Sequence, residues 1–189
     1  MAMRREYEPL DNLSGSLLLA HPSLRDPNFR RSVVLISAHS EEDGAIGVVI
    51  NKPLNKTLGE VDERFAEGPL AQVPLYAGGP VCPDQMLLAA WNWAEEEGTF
   101  RFFFGLDADN ARELIETNPD AQIRGFLGYS GWGEGQLEGE LEQDAWVTTV
   151  LDGDTLGESN HEGIWRAILG RVQPDLLFLA DAHEDPSQN

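Results

Sequence analysis

Four glycines, a tyrosine, a serine and a tryptophan fall within Gly128-Tyr-Ser-Gly-Trp-Gly-Glu-Gly135, and Gln136-Leu-Glu-Gly-Glu140 follows directly. Such residues could supply a nucleophilic serine, a dinucleotide-binding turn or a phosphate cradle, and spacing decides among them. A nucleophile elbow needs G-x-S-x-G, but Ser130 is followed by Gly131 and then Trp132. A dinucleotide turn needs G-x-G-x-x-G; the frames starting at Gly131 and Gly133 reach Gln136 and Glu138 instead. No G-x-x-x-x-G-K-S/T run occurs anywhere in the chain. What remains is a shaped turn leading into a helix, because glycine tolerates positive φ and close approach. Trp132 offers a rigid wall there, and Tyr129, Ser130 and Gln136 are polar candidates. Amides at a helix N-terminus favour an anion, a place for which Glu134 competes. The turn is either anchored for its own shape or contacts a ligand, and spacing leaves both readings open.

Other groups capable of chemistry are scattered. Glu134, Glu138 and Glu142 recur every four residues and would line one helix face. Such an oxygen-rich face can hold a divalent cation, but beside a leucine face it reads more simply as solvated surface. Histidines stand at 21, 39, 161 and 183, with no i, i+4 pair. His39 directly follows an apolar run and Asn51 lies just beyond the next one. Pairing of those runs around Asp43-Gly44 is expected to let the two side chains approach at one end of a sheet. A histidine there acts as base, ligand or hydrogen-bond anchor, or caps local backbone in the turn. Tyr76-Ala-Gly-Gly-Pro-Val81 is a second glycine turn, whose Pro80 fixes the exit. Cys82 follows it without a cationic neighbour in sequence, so a small buried residue is expected rather than an activated thiol.

These groups need elements to hold them. Ser16–Ala20, Ser32–Ser37 and Ala45–Ile50 are short, mostly apolar runs, the pattern of strands buried on both faces. Val73–Ala77, Gln85–Trp91, Thr99–Phe104, Gln122–Leu127 and Ala145–Val150 are predicted as further strands. Thr57-Leu-Gly-Glu60 is a capping box for a helix carrying Leu58, Val61 and Phe65. Asp109 is predicted to cap a helix that Asn118-Pro119 stops. A third helix is predicted over Gly135–Gln143, with Leu137 and Leu141 on one face. Ser159-Asn-His-Glu162 opens a fourth with Ile164, Trp165, Ile168 and Leu169, ending at Gly170. Helices interspersed among strand pairs without strict βαβ alternation predict an α+β single domain. Its sheet is expected to be mixed or antiparallel, barrel-like or strongly curved, and flanked by a few helices. Residues 13–181 are assigned to that domain, after an extension over 1–12 and before a polar tail over 182–189.

Composition narrows the partners. The 189 residues include 13 basic and 33 acidic ones, a net charge of −20. Lys and Arg supply most non-specific nucleic-acid affinity, and the adjacent basic pairs Arg4-Arg5 and Arg30-Arg31 form no stripe. Direct nucleic-acid binding is therefore disfavoured. One cysteine cannot make an internal disulfide or a thiolate zinc cage. No apolar run reaches the ~18 residues of a membrane span, and no signal peptide is visible. A cytoplasmic protein with no membrane association, metal or cofactor is expected.

The ordered set of motifs resembles the YqgE/AlgH family of bacterial proteins. It comprises Gly15-Ser-Leu-Leu-Leu-Ala20, Asp26-Pro-Asn-Phe29, Arg31-Ser-Val-Val-Leu35 and His39 with Gly44-Ala-Ile-Gly-Val-Val-Ile-Asn51. Tyr76–Val81, Gly128–Leu137, Glu140-Leu141 and Trp146 follow in the family's order. The chain departs from the family in having His21 where methionine is more usual, and in its acidity. The resemblance implies a mixed α/β fold and brings no reaction, although some members carry the label of transcriptional regulator. It also points to a functional surface at His39, Asn51, Gly78, Gly79, Pro80, Tyr129, Gly131, Trp132, Gly133, Gly135, Gln136 and Glu140. The leading expectation is a non-enzymatic binding or regulatory module, acting on a protein or small-molecule partner through a cleft framed by the glycine turns. The alternatives are a hydrolase-like enzyme using His39 as base, assisted by Asn51 and Tyr129, and a transcriptional regulator.

Overall fold

The structure is a computed structural model that describes residues 12–94, 96–152 and 163–182. The first three apolar runs form an antiparallel meander of β1 (Ser16–Ala20), β2 (Val33–Ser40) and β3 (Gly44–Val49). Leu18 pairs with Val34, and Val34 with Val49. Both faces of this meander are covered. Leu17, Leu19, Val33, Leu35 and Val48 enter one core, while Leu18, Val34, Ile36 and Val49 enter another. That is why the runs show no polar alternation.

Among the described residues six more strands complete a nine-stranded mixed sheet: β4 (Pro53–Thr57), β5 (Pro74–Ala77), β6 (Val81–Ala94), β7 (Thr99–Leu106), β8 (Gln122–Trp132) and β9 (Trp146–Val150). The order β4-β5-β8-β3-β2-β1-β9 carries a branch, because β6 also pairs with β8 and then with β7. The sheet stays open among the described residues, so the α+β fold holds but "barrel-like" is too strong. β4 escaped the sequence reading because Pro-Leu-Asn-Lys-Thr is polar. An outer strand tolerates such a sequence, with proline at its first position.

β8 is the hub and corrects one expectation. Residues 128–132, expected in a turn, continue the strand to Trp132, and the loop proper is 133–135. Gly125 is paired with Leu75 of β5 and with Leu88 of β6, so those two strands occupy opposite edges of β8. The short link from Ala77 to Val81 must therefore cross β8, backbone against backbone. A Cβ on Gly79 (φ +152) would lie 2.2 Å from the Tyr129 carbonyl oxygen, and one on Gly128 (φ +69) 2.4 Å from that of Gly79. Only glycine permits this crossing. Just past it, Cys82 (φ +45) is exposed rather than buried, a correction to the expected packing. The strand overhangs there, its register against β8 shifting between Val81 and Met86.

Helices close the two faces. α1 (Leu58–Val61) starts at the Thr57 capping box, with the Thr57 amide donating to Glu60 Oε2 at 2.7 Å. It stops early, because Asp62 is extended and caps a 3-10 turn over Glu63–Phe65. α2 (Ala108–Thr117) is capped by Asp107, not Asp109, the Asn110 amide donating to Asp107 at 2.8 Å. α3 (Gln136–Glu142) lies within the span the sequence predicts, between Gly135 and Gln143. α4 (Ile164–Val172) runs past Gly170 and buries Ile164, Trp165, Ile168 and Leu169 as expected. Its proposed capping box over 159–162 lies outside the described residues. Trp165 locks α4 to the sheet, its Nε1–H donating to the Ala20 carbonyl at 2.8 Å. A final helix, α5 (Leu177–Ala182), was not foreseen. No helix among the described residues is long and apolar enough to cross a membrane.

Candidate functional site

Seven of the twelve predicted residues, His39, Gly131, Trp132, Gly133, Gly135, Gln136 and Glu140, gather at α3 and the end of β8 that leads into it. His39 ends the buried part of β2, and only 2% of its side chain is exposed. The Leu13 amide donates to its Nδ1 at 3.0 Å, so the ring proton sits on Nε2, which donates to Glu138 Oε1 at 2.6 Å. The His39 amide donates to Ser14 Oγ at 3.0 Å. Both ring nitrogens are thus engaged. His39 is an anchor joining residues 13–14, the β2–β3 turn and α3, rather than a free base or a cap of its own turn. Burial is the largest influence and works to raise the Glu138 pKa, but the His39 hydrogen bond, a backbone hydrogen bond and the His39 charge together outweigh it and hold this carboxyl below its ordinary value. Glu138 Oε2 is buried with no hydrogen-bond partner.

A second carboxylate organises the other side of α3. Glu140 Oε2 accepts from two indoles, Trp132 Nε1–H at 2.9 Å and Trp146 Nε1–H at 2.7 Å. Its Oε1 accepts from Gln136 Nε2 at 2.9 Å, while Gln136 Oε1 takes the Gly133 amide at 3.1 Å. Trp132 and Trp146 meet edge to face at 5.9 Å, and Phe29 closes the cluster at 5.5 Å from Trp146. Buried indole N–H groups usually find acceptors, and Glu140 serves both. Gly135 (φ +67) starts α3 so that both acids turn inward toward their partners. Glu134 and Glu142 of the expected stripe stay exposed.

The remaining candidates lie elsewhere. Gly78, Gly79, Pro80 and Tyr129 belong to the β8 crossing, where Ser130 Oγ also donates to the Gly78 carbonyl at 3.1 Å. The two glycine segments do meet, but backbone to backbone rather than around an opening. Asn51 sits alone at the far end of the hairpin. It substitutes for lost strand pairing, its Oδ1 accepting from the Val33 amide at 2.8 Å and its Nδ2 donating to the Arg31 carbonyl at 2.9 Å. The expected approach of His39 and Asn51 is wrong. His39 pairs with Ala45 beside the turn, and the six residues from 45 to 51 span about 20 Å of strand. Tyr129 lies three residues from Trp132 in β8 and so on the other face, packed against the opposite core. A catalytic set of His39, Asn51 and Tyr129 does not assemble.

Sequence reasoning missed Glu138 and Trp146 as site members. Glu138 hid in an acidic stripe, and nothing local marked it as a partner of His39. Trp146 was detectable in principle, since a buried indole needs an acceptor and Glu140 precedes it by six residues. Arg124 was also missed: it is buried between the rings of Tyr76 and Trp91, 4.7 Å from each, inside a strand-like run. Burial pushes its pKa down without removing its charge.

The AlgH-like family model matches residues 17–177, nearly the whole domain. The chain belongs to the AlgH-like family. A UPF0301 protein of Streptomyces coelicolor is 36% identical over 194 residues, covering 95% of this chain and 97% of the relative. One from Xanthomonas oryzae is 35% identical over 177 residues, covering 89% and 94%. Among solved structures, the AlgH protein from Pseudomonas aeruginosa is 30% identical with a TM-score of 0.63, covering 94% of this chain and 97% of that one. Protein DIP2367 from Corynebacterium diphtheriae is 25% identical with a TM-score of 0.67, covering 88% and 90%. The α3 anchor described above is thus a feature of an AlgH-like domain.

Proposed function

We propose that this AlgH-like chain is a non-enzymatic binding or regulatory module of the cytoplasm, acting on a protein or small-molecule partner through the rim from Gly131 to Gln136. One observation carries the reading. A Cβ on Gly131 would meet nothing closer than 3.6 Å and one on Gly133 nothing closer than 4.0 Å. The fold itself does not require glycine at either place, yet both are exposed. Bare backbone on a rigid edge suits close approach by another molecule. The rigidity comes from Trp132, Glu140 and Trp146, and the engaged His39 leaves the hydrolase alternative without a general base. Thermal-shift screening with metabolites and nucleotides, then isothermal titration, tests it. A ligand that stabilises the parent is expected to lose affinity in Gly131→Ala and Gly133→Ala, whose added Cβ the fold has room for. Undiminished binding in both variants overturns the assignment.

A further inference from the structure

β7 combines apolar side chains with unpaired backbone. Among the described residues it pairs along one edge only, with β6, through Trp91↔Phe102 and Trp93↔Phe100. Natural proteins blunt such edges with charges, prolines or short length, because the free N–H and C=O groups template another strand. Gly105 (φ +72) is a bulge, seen in the step from Leu88↔Leu106 to Ala89↔Phe104. The flat edge is therefore 99–104, about 20 Å long. Its single charge, Arg101, is already paired with Glu97. Trp93 is 46% exposed and packs edge to face on Phe100 at 4.9 Å, while Phe103 on the opposite face is 36% exposed.

Charge selects the occupant. Glu96 precedes the strand and Asp107 follows it, both exposed, while their neighbours Glu97 and Asp109 are already paired with Arg101 and Arg112. A second copy docked antiparallel would set the glutamate end of each strand against the aspartate end of the other, in a chain of net charge −20. Like charges so placed repel. An extended segment with apolar residues at alternate positions and Lys or Arg at both ends meets opposite charge at each end and aromatic surface between. We infer that the β7 edge receives such a basic-flanked segment of a partner protein as an added strand. This surface is separate from the α3 rim, and either assignment stands without the other.

The probe is a synthetic peptide, KKTVTVTVKK, titrated into the full chain and followed by tryptophan emission and amide hydrogen exchange. Alternate amides over 99–104 are expected to slow at least about tenfold on saturation, the protection a new ladder confers. The same peptide with glutamate at its ends is expected to bind about tenfold more weakly, because attraction at each end turns to repulsion. Phe103→Lys should weaken the lysine-flanked peptide; if that variant does not fold, the exchange pattern of the parent decides. Unchanged β7 exchange at millimolar peptide overturns the inference, as does equal binding of the glutamate-flanked peptide. Self-association of the chain that protects β7 without peptide also overturns it. Exchange effects confined to residues 131–136 overturn it while leaving the proposed function intact.

Discussion

Glu140→Ala should be the most damaging single change at the α3 end, and its cost follows from the hydrogen bonds. The substitution strips the acceptor from Trp132 and Trp146, whose residues are each only 5% exposed. A buried donor left unsatisfied costs about 1–3 kcal/mol. Two such donors, discounted because Glu140 itself is only partly buried, give a loss of about 2–4 kcal/mol. For a domain of this size each kcal/mol shifts Tm by about 2–4 °C, so a fall of roughly 4–16 °C is expected. Glu140→Gln retains an oxygen for the indoles but turns its NH2 toward Gln136 Nε2, and should cost only about 1 kcal/mol. Equilibrium urea unfolding followed by tryptophan fluorescence measures both. A double-mutant cycle sharpens the test, because Trp146→Phe removes one stranded donor. It should cost at least about 1 kcal/mol less in the Glu140→Ala background than in the parent. If Glu140→Ala unfolds within about 0.5 kcal/mol of the parent, the carboxylate is not an essential acceptor and the argument fails.

Further outcomes follow from the same structure. Glu138 has a folded-state pKa below its ordinary 4.5, so its contribution is complete above that value and is lost as pH falls through the depressed folded value. Stability should therefore decline more steeply on acidification in the parent than in Glu138→Gln, which keeps an acceptor for His39 but does not titrate; identical slopes count against the pairing. Gly79→Ala sets a Cβ into the Tyr129 carbonyl and should abolish soluble folded protein, whereas Gly131→Ala should fold with Tm near that of the parent. Circular dichroism of both tests the crossing. The net charge of −20 predicts no retardation of duplex DNA at physiological salt; a shift with a steep salt slope would restore the transcriptional-regulator reading.

Much of the scaffold could be read without coordinates, because it depends on local chemistry. The runs Leu17–Ala20, Val33–Ile36 and Ala45–Ile50 lack polar alternation, and both their faces are buried except at Ile46. Thr57 and Glu60 cap as their spacing demands, and Ile164, Trp165, Ile168 and Leu169 fall on the buried side of α4 because helical periodicity is intrinsic to the chain. The glycines were recognisable as sites of unusual backbone, but their type could not reveal the use. At 79 and 128 they let one strand connection cross another, and at 131 and 133 they leave the surface bare.

Tertiary pairing decided the rest. His39 finds Glu138 and Leu13, distant in sequence, and the hairpin that holds it sends Asn51 to the opposite end. β8 extends through a segment that looks like a turn, since partner strands satisfy its backbone groups. Sequence alone determined most of the apolar core and the start of α1, because hydrophobicity and capping act over a few residues. Only the folded chain decided which polar groups meet, because each hydrogen bond there joins segments whose separation in space the intervening sequence does not set.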